Sequence, residues 1–158
     1  MACRVCEFLI SRCDMERLLC KALLWKAGLI TCEAYNETLN ELFLKNTEDD
    51  LLLELESYTL DSDTSYNVLH RYWEYECKDF SADVFGKYLL DELKAVYQSD
   101  AFPLKVYGKK CFRVWRCLPD ELQMKEPFHI LSYADDPLSW GDESASKKIF
   151  EELFGFYK

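Results

Sequence analysis

Two histidines, His70 and His129, are the natural candidates for a general base in this 158-residue chain, and they fall in different parts of the sequence. With carboxylates from Asp61, Asp63, Asp135 or Asp136, either imidazole could hold a divalent ion and activate water, the minimum for a metal-dependent hydrolase. Neither Asp61-x-Asp63 nor Asp135-Asp136 has the length or the glycine of a calcium loop. Turn chemistry explains both, because Asp side chains accept hydrogen bonds from backbone amides close by. Cys3-x-x-Cys6, with Cys13 nearby, has the spacing of a zinc thiolate pair, but no second Cys or His pair completes four ligands. The eight cysteines would form a disulfide framework only in an oxidising compartment, which nothing near Met1 indicates, so they read as reduced thiols. No nucleophile elbow, zincin, phosphate-loop or dinucleotide motif occurs. The expectation is no catalytic residue, no metal and no cofactor.

Charge is more informative. The net charge is −10, and residues 47–100 carry all of the excess, with fourteen acids against four bases. Nucleic-acid binding depends on neutralising phosphates with Lys and Arg, so a direct nucleic-acid partner is disfavoured. Glu48, Asp49, Asp50, Glu54, Glu56, Asp61 and Asp63 follow one another without a Lys or Arg. Such a run is either a solvated face or a surface that steers and holds a basic protein. A second acidic group, Asp135, Asp136, Asp142 and Glu143, is interleaved with Tyr133 and Trp140, and aromatic anchors among charges are characteristic of interface centres. The alternative there is that Trp140 closes the core while the acids cap a helix. Glu54, Glu56, Asp61, Asp63, Tyr133, Asp135, Asp136, Trp140, Asp142 and Glu143 are the candidate partner-binding residues. Lys105, Lys109, Lys110, Arg113 and Arg116 form an acid-free basic stretch of opposite polarity.

These side chains need elements to place them. Apolar spacing from Leu18 to Ala27 predicts a helix capped at Asp14 and stopped at Gly28. A second helix opens at Thr31 and carries Tyr35, Leu39, Leu42 and Phe43 on one face, forming a helix hairpin with the first. Thr47 to Asp50 starts a third, Tyr66 to Cys77 a fourth, and Ser81 caps a fifth with Val84, Phe85, Tyr88, Leu89 and Leu93 at three- and four-residue intervals. Beyond Pro103 the pattern suggests change: residues 104–107 and 111–117 flank Gly108-Lys109-Lys110 like two strands around a turn, and 128–133 suits a third strand. A last helix runs from about Ser144. The predicted fold is therefore α+β, with a helix hairpin and three further helices, a small antiparallel sheet of two to three strands and a C-terminal helix. It is read as a single globular domain over 1–158, with 1–13 a loosely packed extension.

No apolar run approaches the roughly 20 residues that a membrane span needs. The composite expectation is a non-catalytic cytoplasmic protein-binding module whose partner is a protein with a basic surface. The physical analogy is an acidic inhibitor of a basic enzyme, as an immunity protein or antitoxin is. The alternatives are the small metal-dependent hydrolase and a structural adaptor in a larger assembly.

Overall fold

A computed structural model describes residues 12–75 and 80–157. Cys3, Cys6 and Cys77, and the terminal extension as far as residue 11, lie outside the described residues. Contacts divide the chain into two compact units, 1–85 and 86–158, with the boundary in the first turn of a helix.

In the first unit, α1 (Arg12–Lys26) presents Leu18, Leu19, Ala22 and Leu23 to the core. It stops where Gly28 takes a φ of 79°, a left-handed conformation that glycine adopts without a Cβ penalty. α2 (Cys32–Lys45) begins where Thr31 accepts from the Ala34 amide at 3.2 Å, and it buries Tyr35, Leu39 and Leu42. α3 (Asp50–Glu56) follows, and α4 (Ser62–Tyr75) buries Tyr66, Val68 and Leu69. α1 packs against both α2 and α4, and α2 against α3. Glu16 on α1 is fully buried and accepts from the Ser81 amide at 2.7 Å, satisfying one of the donors that a helix leaves open at its start. Ser81 in turn accepts from Val84 at 3.2 Å and caps α5 (Ala82–Gln98).

The second unit comprises most of α5 with α6 (Leu104–Cys117), the short α7 (Asp120–Gln123), a 3₁₀ segment over Phe128–Ser132, the short α8 (Asp136–Ser139) and α9 (Glu143–Phe154). α6 and α7 pack on the 3₁₀ segment, and α8 packs on α9. An aromatic cluster fills its core: Tyr107 and Phe150 have ring centroids 5.2 Å apart, and Tyr97 lies 5.5 Å from Tyr107 and 5.3 Å from Phe154.

The expected α+β fold is overturned. The described residues are helical with no strand, and no sheet forms among them. Residues 104–117 are one helix because their buried positions, Tyr107, Gly108, Cys111 and Val114, recur every three or four residues rather than every two. Pro103 suits the start of a helix, where its missing N–H costs nothing. Gly108 is not the centre of a turn. It is buried inside α6, where an added Cβ would lie 2.7 Å from the Asp135 Cβ, so it is a contact point between backbone and side chain. Within α6 Arg113 is exposed, while Trp115 is half-buried and donates to the Gln123 carbonyl at 2.9 Å. Within the expected third strand, Phe128–Ser132 instead form a 3₁₀ segment that buries Phe128 and Leu131, again at a spacing of three.

Candidate functional site

The ten candidate residues divide between the units, four in the first and six in the second. In the first unit, much of the acidic run is engaged in structure. Asp49 is buried as the cap of α3 and accepts from the Leu52 amide at 3.1 Å. Asp61 accepts from the Thr64 hydroxyl at 2.6 Å and the Thr64 amide at 3.0 Å, which hold its carboxyl below the ordinary value. Glu54 pairs with Arg71 at 3.1 Å, and Asp63 approaches Lys26 at 3.8 Å. Glu56 is half-buried at the end of α3. Of the seven carboxylates, Glu48, Asp50 and Glu56 have neither an ion pair nor a capping bond among the described residues.

The second group flanks an exposed aromatic in the sequence. Trp140 is 68% exposed on the turn between α8 and α9. That turn is held by Pro137, whose carbonyl accepts from Trp140 at 3.3 Å and from Asp142 at 2.9 Å, and by Gly141, which takes a φ of 82° and donates to Leu138 at 3.2 Å. The indole therefore stands in water on fixed backbone and does not close the core. Asp136, Asp142 and Glu143 are all exposed around it. Asp142 also caps α9 by accepting from Ala145 at 3.0 Å. Tyr133 is 39% exposed at the end of the 3₁₀ segment. Asp135 differs from the rest: it is half-buried beside Gly108, and burial, reinforced by Asp136, pushes its carboxyl up against the opposing influence of its own backbone amide and Lys109.

Next to this turn is a cavity of about 470 Å³. Tyr97, Phe102 and Tyr107 supply aromatic wall, and Asp100, Glu143 and Lys147 supply charge. Glu143 thus belongs both to the Trp140 turn and to the cavity. Lys147 pairs with Glu143 at 3.2 Å, one helical turn along α9. The Tyr107 hydroxyl donates to the Leu93 carbonyl at 2.8 Å, which leaves its ring as the lining element. Tyr97 has its phenol pushed up by burial and by Glu151, with Lys147 opposing and Asp100 and Glu143 adding. Sequence reasoning missed Tyr97, Asp100, Phe102, Tyr107 and Lys147 because only the fold brings the end of α5, the start of α6 and the start of α9 to one cavity, and Tyr107 in addition falls in a stretch that reads as strand. The signal available was three aromatics and an Asp clustered around the α5–α6 connection.

The exposed bases of α6, Lys105, Lys109, Arg113 and Arg116, recur at intervals of three and four and form one ridge. Lys110 instead lies over the Phe102 ring at 4.9 Å. The residues suggested for hydrolysis do not assemble. His70 is in the first unit, 3.7 Å from Glu74 and between the Tyr66 and Trp73 rings. His129 is in the second, with its ring 5.7 Å from that of Tyr133. Among the described residues no three His, Cys, Asp or Glu side chains gather as a metal site, and no helix is long and apolar enough to cross a membrane. The chain matches no protein-family model, and comparison with curated proteins and with solved structures found no match.

Proposed function

We propose that this chain is a non-catalytic protein-binding module that holds a partner with a basic surface through the Trp140 turn of its second unit. The observation that carries the reading is the exposed indole on a hydrogen-bonded turn, rimmed by Asp136, Asp142 and Glu143. Exposed large aromatics are the residues most often found at the energetic centre of interfaces, where covering one excludes water from a large apolar area. A fixed backbone lowers the ordering cost of docking. The surrounding carboxylates contribute mainly partner choice and association rate, because charges at an interface rim stay hydrated. An inhibitor that covers the active site of a basic enzyme in the cytoplasm fits this description, and nucleic acid does not, since its phosphates would face the same carboxylates.

The test is affinity capture from the native cell at low salt, with wild type and Trp140→Ala compared side by side. A basic protein retained by wild type, released by salt and lost with Trp140→Ala is the expected result. Equal retention by both proteins contradicts it.

A further inference from the structure

The cavity beside the Trp140 turn is of the size that binding sites for small molecules occupy, about 300–1,000 Å³. Its walls combine features that suit one chemical class. The rings of Tyr97 and Phe102 offer apolar surface and π-faces, which attract ammonium and guanidinium groups, while the buried Tyr107 closes the cavity behind them. One of them already does so, since Lys110 lies over Phe102 at 4.9 Å. Asp100 and Glu143 contribute two carboxylates and Lys147 the one ammonium of the lining, with Lys110 held over Phe102 outside it. Lys147 is paired with Glu143 at 3.2 Å, and Asp100 has no ion pair among the described residues. An entering anion would meet that unpaired carboxylate, whereas an entering cation would complete it. The start of α6 favours negative charge through its open amides, so an anion belongs among the controls.

We propose that the cavity walled by Tyr97, Phe102 and Tyr107, with the carboxylates of Asp100 and Glu143, receives a lysine or arginine side chain of a protein docked on Trp140. The inference rests on the proposed function and specifies it. A lysine or arginine stem lies along apolar surface while its charged head reaches a carboxylate, which is the combination the wall provides. Glu143 links the two features, because it lines the cavity and is three residues beyond the exposed indole.

The experiment is an amide-shift titration of the isotope-labelled full chain with Nα-acetyl-lysine methylamide and Nα-acetyl-arginine methylamide. The norleucine analogue serves as neutral control and the glutamate analogue as anionic control. The cationic ligands should give saturable shifts at Tyr97, Phe102, Leu104 and Lys147, with the neutral analogue about tenfold weaker or more, as loss of one charge-assisted contact implies. Asp100→Asn combined with Glu143→Gln should weaken the cation by about tenfold or more. Asn tolerates the left-handed φ of 54° at position 100, so the substitution keeps the backbone. Lys147→Ala removes the competing ammonium and should tighten binding, a change of opposite sign that loss of folding would not produce.

Equal binding by the norleucine or glutamate analogue, or no saturable shift with either cation, overturns the inference. The outcomes separate from those of the proposed function. Capture that depends on Trp140 without any cation binding rejects the cavity alone, whereas cation binding with capture indifferent to Trp140 rejects the docking surface that the inference requires.

Discussion

Residues 1–85 hold seventeen acidic and eight basic side chains, while residues 86–158 hold twelve and eleven, so nearly all of the net charge belongs to the first unit. The second unit, close to neutral, is nonetheless where we propose that the partner docks. In the first, buried or capping carboxylates such as Glu16, Asp49 and Asp61 close helix starts, and Glu54 and Asp63 face Arg71 and Lys26. In the second, Asp142 likewise caps α9 and Glu143 pairs with Lys147, but both stay exposed, as Asp136 does, next to an indole that is itself 68% exposed. On that proposal, charge density along a sequence does not locate a binding surface. An exposed aromatic standing among the carboxylates does.

The largest effect expected is on binding. Trp140→Ala should cost about 2 kcal/mol or more of partner affinity, the scale of an interface hot spot, with an unchanged thermal midpoint because the side chain is exposed. Calorimetric titration against the captured partner and a melting curve measure both. A lowered midpoint with full affinity would mean that Trp140 serves the fold.

Next in size is Glu16→Leu, which leaves the Ser81 amide without its acceptor and should lower stability by about 2 kcal/mol in urea titration. An unchanged midpoint would mean that this acid is not structural, and would weaken the contrast between the units. Asp49→Ala should cost about 1 kcal/mol through loss of the α3 cap, read in the same titration and leaving partner affinity unaltered. The smallest effect concerns Asp135, the second-unit acid that belongs to packing. Its folded carboxyl is raised above the ordinary value of 3.8, so ionising it costs more in the folded than in the unfolded state. The wild type should therefore lose stability relative to Asp135→Asn as pH rises from 3.8 through the raised folded value. A relative gain over that window would reverse the sign and contradict its burial.

Much of the first unit is legible in the sequence because its signals are local. Thr31 and Ser81 cap helices three residues ahead of the amides they accept from, and Gly28 ends α1 through its own backbone conformation. α4 starts earlier than its apolar stripe suggests, because Asp61 in the polar turn caps it. In the second unit the local signal misleads. Gly108-Lys109-Lys110 resembles a hairpin turn, and residues 111–117 alternate well enough to pass for a strand. The helical period emerges only when Tyr107, Cys111, Val114 and Leu118 are taken together, and a glycine inside a helix makes sense only once Asp135 is known to press against it. The reduced-thiol reading has a local counterpart in Cys111, fully buried, whose thiol burial pushes up to about 12, the Tyr107 hydroxyl opposing and Asp135 adding. Among the site residues, sequence identified the aromatic-acidic turn but not whether Trp140 faces inward or outward, because that depends on what α8 and α9 leave uncovered. The cavity was beyond reach without the correct α6.

The central claim is that the second unit, not the more acidic first, binds the partner. The direct test removes three charges from each in turn and measures retention of the captured partner at fixed low salt. Asp136→Asn, Asp142→Asn and Glu143→Gln form the second-unit set, in which Asp142→Asn keeps a capping side chain at the start of α9. Glu48→Gln, Asp50→Asn and Glu56→Gln form the first-unit set, chosen because these acids have no ion pair among the described residues. The account predicts that the second-unit set loses the partner while the first-unit set retains it. Loss with the first-unit set and retention with the second would contradict it.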